Sequence, residues 1–192
     1  MLVQKNVQER FLKVLAAEFS RKAAGTPEMD LDCGPVINKA QFERVNRYVE
    51  LGHQEGLTVV AEGTVADGVP AGGYFVRPLI FSAPRHKSRL LSEEIFGPVL
   101  VAVPFETEAE AIELANATRY GLMAAVWSEN GGRQQRVARA MQAGQVYINS
   151  FGAGGGVELP FGGVKRSGHG REKGFIALEE MSTVKTIVHY HG

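Results

Sequence analysis

Short apolar segments alternate along this chain with amphipathic stretches of ten or more residues, and no other feature of the sequence narrows the fold as much. After Leu2-Val3, the residues Val7, Phe11, Leu15 and Phe19 fall four apart and make one apolar stripe. Asn6 and Glu9 have the spacing of a capping box at its start, and Gly25 and Pro27 mark its end. Asn38 with Gln41 caps a second helix, with Phe42, Val45, Tyr48 and Val49 on its inner face and Gly52 and Gly56 bracketing its end. Thr107 with Glu110 starts a third helix, with Ile112 and Ala115 inward. Asn130 or Gly131 opens a fourth, with Val137, Ala138 and Met141 inward and Gly144 closing it.

Between these lie the expected strands: Leu57–Ala61, Tyr74–Val76, Val99–Val103, Ala124–Trp127 and Gln145–Ile148. Gly63–Gly73 reads as a surface hairpin. Strand–helix alternation of this kind predicts an α/β fold, a largely parallel sheet flanked by helices and joined by right-handed crossovers. A short helix is expected near Phe175–Glu180. The β-branched residues of Thr183–Tyr190 then read as a terminal strand, for which another subunit would supply a partner if this chain does not.

Composition removes several classes of function. Twenty-one basic and 21 acidic residues cancel, which speaks against a nucleic-acid footprint or a membrane-surface patch. The N-terminal residues lack the pattern of a signal peptide, and no apolar run reaches the length of a membrane span, about 20 residues. A single cysteine forms no internal disulfide, which points to a cytoplasmic setting.

Glu93-Glu94-Ile95-Phe96-Gly97-Pro98 is the stretch with the most chemistry. A carboxylate at a strand mouth can accept hydrogen bonds from a diol such as a ribose, and an aromatic beside it can pack on a flat heterocycle. Gly97 permits close backbone approach, and Pro98 fixes where the strand begins. The hexapeptide also reads as an acidic turn with a core phenylalanine ahead of a strand. Asn149, Ser150 and Phe151 leave a strand at its carboxyl end, where open α/β sheets bind ligands; Asn and Ser also form ordinary turns. The glycines at 152–156 do not open a helix, and Gly162–Gly168 lacks the order of a phosphate loop. A flexible loop flanked by aromatics is the inference left.

Cys33 is the only thiol, and Asp32 beside it raises its pKa, so it is expected to be structural. His53, His86 and His169 show no metal-ligand spacing, and His189 with His191 make a weak pair near the terminus. No metal site is expected.

Together these segments resemble the NAD(P)-dependent aldehyde dehydrogenases. The resemblance is carried by residues 32–37 (DCGPVI), 73–78 (GYFVRP), 93–98 (EEIFGP), 115–122 (ANATRYGL), 146–149 (VYIN), 160–168 (PFGGVKRSG) and 170–172 (GRE), in the family's order along the whole chain. It implies that Glu94 holds the nicotinamide-side ribose of NAD or NADP, that Phe96 lies beside the nicotinamide ring, and that Phe151 and Phe161 line the aldehyde tunnel. It implies a partial catalytic domain over residues 1–180 and an oligomerisation strand over 181–192. The family oxidises an aldehyde to an acid through a cysteine thiohemiacetal, and its nucleophile precedes the strand that Leu2-Val3 resembles. Cys33 matches a loop position, so no catalytic residue is assigned. The expectation is a carboxyl-terminal portion, inactive alone, that forms homo-oligomers or joins a missing N-terminal portion. Its alternatives are a non-catalytic assembly module and one chain of a split enzyme.

Overall fold

The computed structural model describes residues 1–83, 88–152 and 156–192, which form two compact units, Met1–Ala111 and Ile112–Gly192. His86 lies outside the described residues, as does the middle of the glycine run at 152–156.

In the first unit the chain runs through β1 (Leu2–Gln4), α1 (Lys5–Phe19), β2 (Ala23–Ala24), α2 (Lys39–Gln54), β3 (Thr58–Glu62), β4 (Thr64–Val65), β5 (Leu79–Ser82) and β6 (Val99–Phe105). A four-stranded sheet has the order β1-β6-β5-β3. β1 and β5 both pair parallel with β6, and β3 pairs antiparallel with β5 across a bulge between Val59 and Ala61. The sheet is thus largely parallel with one antiparallel edge. The connection from β3 to β5 contains no helix, so it is not the crossover that a parallel pair requires.

The strand expected at Tyr74–Val76 is absent there and begins after Pro78 instead. Leu79, Ile80 and Phe81 are buried in succession, as befits a strand covered on both faces, and Pro78 precedes the ladder it could not join as a donor. The stretch from Gly63 to Gly73 is no hairpin: β4 pairs parallel with β2, and turns follow at residues 67–68 and 71–72. The capping box expected at Asn6 and Glu9 is also absent. The chain passes from β1 into α1 at Lys5 with Gln4 as N-cap, so Asn6 already lies inside the helix.

Val45 of α2 is fully buried among Val76, Leu79, Phe81, Ala83, Leu90, Ile95, Val99, Val101 and Val103. Gly52 lies within α2 and does not end it. A Cβ there would sit 2.8 Å from the Phe81 ring, so this glycine lets the helix close on the core. The His53 ring meets Phe81 edge-on at 5.3 Å. Gly56, at φ +74°, does mark the helix exit.

The helix α3 (Glu108–Asn116) leads into the second unit, which holds β7 (Met123–Val126), α4 (Gly131–Ala140), β8 (Gln145–Ile148) and α5 (Ile176–Glu180). β7 and β8 pair parallel, and α4 joins them, its N-cap Asn130 accepting from the Arg133 N–H at 2.8 Å. Residues 183–190 form no strand among the described residues, and Val184, Ile187, Val188 and Tyr190 are exposed.

Phe81→Ala removes the largest fully buried side chain. It should lower unfolding stability by about 3–5 kcal/mol, read as a lower urea midpoint. A loss below about 1 kcal/mol would mean that the sheet does not depend on this ring.

Candidate functional site

One face of α2 carries Gln41, Arg44, Val45 and Tyr48, spaced so that their side chains share a side. The loop ahead of β6 lies along this face. The Gln41 Nε2 donates to the carbonyls of Ile95, at 3.0 Å, and Phe96, at 2.7 Å. Arg44 donates to the Glu94 carbonyl. Gly97 sits against Val45, where a Cβ would come 2.5 Å from Cγ2. Thus Gly97 provides the close approach expected of it, and the partner it approaches is the helix.

The two adjacent carboxylates have different roles. Glu93 is held by three hydrogen bonds from two side chains: Tyr48 Oη donates to Oε2 at 2.6 Å, and Arg89 Nε and Nη2 donate to Oε1 and Oε2 at 2.9 and 3.0 Å. The Arg44 guanidinium lies 5.3 Å from the Tyr48 ring centroid. The bond to Glu93, aided by burial, raises the Tyr48 phenol above its ordinary pKa. Glu94, by contrast, is exposed, and its carboxylate has no hydrogen-bond or ion-pair partner among the described residues. It remains an unspent acceptor, able to take a neutral hydroxyl pair.

Phe96 is not the core residue that one reading of the hexapeptide would make it. Its side chain is 74% exposed and its φ is +60°. A left-handed backbone costs a residue with a Cβ about 1–2 kcal/mol, and an exposed aromatic recovers little by burial. The core position goes to Ile95.

In the second unit Phe151 leaves β8 and is 75% exposed. Before it, Asn149 has φ +50° and clasps Ser128 twice, accepting from its N–H at 2.9 Å and donating to its carbonyl at 3.0 Å. The amide thereby extends the pairing of β7 and β8 past their last residues, a contact between strands and not the local turn that Asn often makes. Phe161 exchanges backbone hydrogen bonds of 2.7 Å with Glu172, and the Lys173 ammonium lies 5.5 Å from its ring centroid.

The stretch after Phe161 is tightly fastened, and the loop expected between Phe151 and Phe161 falls partly outside the described residues. Val164 and Arg166 donate to the carbonyls of Gly121 and Arg119, both at 2.9 Å, and Ser167 Oγ accepts from Gly121 N–H at 3.0 Å. Lys165 Nζ donates to the carbonyls of Asn116 and Thr118, capping the end of α3. A Cβ on Gly144 would overlap the Gly162 carbonyl at 1.7 Å, so backbone packs directly on backbone there.

Cys33 bridges to Ala24 beside β2. Burial first, and the Asp32 charge second, push its thiol above the ordinary cysteine pKa, while Lys22 opposes them weakly. Lys22 is engaged by Asp32 at 2.5 Å. His189 and His191 have their rings 4.2 Å apart, and among the described residues no group of three or more His, Cys, Asp or Glu side chains is arranged to hold a metal.

Residues 1–187 match the family model of the aldehyde dehydrogenase family. The chain belongs to the aldehyde dehydrogenase family. A betaine aldehyde dehydrogenase of Rhizobium etli is 40% identical over 189 residues, covering 97% of this chain and 38% of its own length. A protein assigned as an aldehyde dehydrogenase in Burkholderia cenocepacia superposes with TM-score 0.93 at 46% identity, over 100% of this chain and 40% of that one. An aldehyde dehydrogenase from Bacillus cereus in complex with NAD+ superposes with TM-score 0.86 at 38% identity, over 96% and 37%. The chain therefore spans about two fifths of the length of the relatives it matches. Among the described residues no helix is long and apolar enough to cross a membrane.

The sequence did not single out Arg44, and it treated Gln41 only as a cap. The missed signal was their spacing with Val45 and Tyr48. In this chain Cys33 should react slowly with a thiol reagent at neutral pH. The rate should climb with pH and level off only above the ordinary cysteine range, because burial favours the neutral form. Asp32→Asn removes a like charge and frees Lys22, both of which favour the thiolate, so the rate profile should move to lower pH. An unmoved profile would show that burial alone sets the thiol.

Proposed function

We propose that this chain holds the ribose and ring of a nicotinamide cofactor, and shapes the aldehyde's path, in an enzyme that oxidises an aldehyde to an acid. The observation that carries the proposal is the division of labour within Glu93-Glu94. Glu93 is used up in anchoring the loop to Tyr48 and Arg89. Glu94 presents a carboxylate with no partner among the described residues, two positions from an exposed aromatic on a fixed backbone.

This donor set fits the cofactor. The Glu94 carboxylate would accept from the two hydroxyls of a ribose, and the face of Phe96 would lie against a flat ring. When bound, NAD or NADP would take up the hydride that leaves the aldehyde carbon. Phe151 and Phe161 would line the aldehyde's path; the exposed Phe151 at a strand exit and the bridge that secures Phe161 support this reading.

The nucleophile in this reading comes from outside these 192 residues. Cys33 is the only cysteine here, and its surroundings disfavour the thiolate. Residues 1–180 then act as a partial catalytic domain in the cytoplasm, and 181–192 as a strand that joins a neighbouring subunit. The exposure of the apolar Val184, Ile187, Val188 and Tyr190 supports the second role, since such a segment hides its open backbone and apolar side chains by pairing. It also favours an assembly role, alone or beside a companion chain, should the isolated chain prove inactive.

Glu94→Gln should raise the NAD dissociation constant of the full protein by about tenfold or more, since a charge-assisted hydrogen bond becomes a neutral one, with the thermal midpoint unchanged. Glu93→Gln should chiefly lower the midpoint. Equal NAD affinity in wild type and Glu94→Gln, by titration calorimetry, would remove Glu94 from the cofactor site. A chain ending at Ser182 should elute as a smaller species than the 192-residue chain. Identical elution would exclude the tail as the assembly strand.

A further inference from the structure

We infer that Gln41 is a positioning residue, whose single side-chain amide holds Phe96 in its left-handed backbone conformation by donating to the carbonyls on either side of it. The consequence for the cofactor rests on the reading of the loop above; the backbone claim does not.

Gln41 is the third residue of α2, and Asn38, its N-cap, accepts from the Gln41 N–H at 2.9 Å. Asn-x-x-Gln is half of a capping box, and the other half would send the Gln41 side chain back to the Asn38 N–H. The side chain reaches across to the loop instead. Its Nε2 donates to Ile95 at 3.0 Å and to Phe96 at 2.7 Å, which uses both hydrogens of the amide.

That double donation restricts the backbone. The carbonyls flanking an extended residue point to opposite sides of the chain, so one NH2 group cannot reach both. They converge when the residue between them is helical in either hand, and Phe96, with its neighbours fixed on α2, takes the left-handed form at φ +60°. Phenylalanine has no side-chain group to stabilise this conformation locally, unlike Asn or Asp. Its ring is 74% exposed, so burial does not hold it either. Arg44 on the Glu94 carbonyl and Gly97 against Val45 bound the segment at its two ends, and Gln41 acts at the strained residue itself. Without the amide, Phe96 can relax to negative φ, which redirects both its ring and the Glu94 carboxylate behind it.

The test compares wild type, Gln41→Met and Gln41→Lys in the 192-residue chain by NMR, reading the φ-dependent couplings and Cα shift of Phe96. Met keeps the length and removes both donors; Lys restores donors. Phe96 should lose its positive-φ signature in Gln41→Met, with the α2 amide signals kept, and regain it in Gln41→Lys. A positive φ retained in a folded Gln41→Met chain overturns the inference. Should Met perturb the fold, Gln41→Glu, with the same shape and no donor, takes the same readout. In the full protein, NAD binding to Gln41→Met should weaken about tenfold, the effect of losing one well-made hydrogen bond. Relaxed Phe96 with unchanged NAD affinity would uphold the positioning role and overturn the cofactor role proposed for the loop.

Discussion

The first unit depends on the contact between Val45 and Gly97. Val45 is fully buried, and the absence of a side chain at Gly97 lets the loop before β6 lie directly on α2. A methyl group at 97 would push helix and loop apart by more than the contact tolerates. With them together, three polar side chains of the same helix face reach the loop. Tyr48 takes Glu93, Arg44 takes the Glu94 carbonyl, and Gln41 takes the next two carbonyls. The site is thus a consequence of core packing, with the polar contacts registered by an apolar one.

This arrangement separates two residues that share a chemistry. Glu93 and Glu94 are identical in type, and neither charge nor local composition tells them apart. The helix does so by geometry. One carboxylate falls against a phenol and a guanidinium, where its charge is spent, and the next falls in solvent. Phe96 shows the same effect in the backbone, since an exposed ring at positive φ persists only where its surroundings over-determine it. Such a departure from local preference marks a place where stability has been traded for presentation.

The second unit uses glycine and lysine to fasten where the first uses helix and loop. Gly121, Gly144 and Gly162 each stand where backbone meets backbone, and Lys165 closes the end of α3. At Gly162 and Gly163 the glycine-rich text therefore encodes close contact. Abundant glycine can mean contact or mobility, and only the neighbours across the contact distinguish them.

Much of the architecture was legible beforehand. The helices begin near Asn38, Thr107 and Asn130 because their side chains can accept from the first turn, and β8 spans Gln145–Ile148 as expected. Other elements were misread where a neighbour overruled local pattern. Tyr74–Val76 has strand-forming residues, yet the ladder on β6 starts beyond Pro78; Asn6 has the residue of a cap, yet β1 delivers the chain to the helix before it. By itself the sequence determined the α/β class, the family and the residues able to do chemistry, because these follow from residue type and spacing. Only the tertiary structure decided which glutamate is free, where the Gln41 amide goes and why Phe96 is exposed. Each of those depends on partners about 50 residues away in the chain, brought within hydrogen-bond reach by the packing of α2 on its loop.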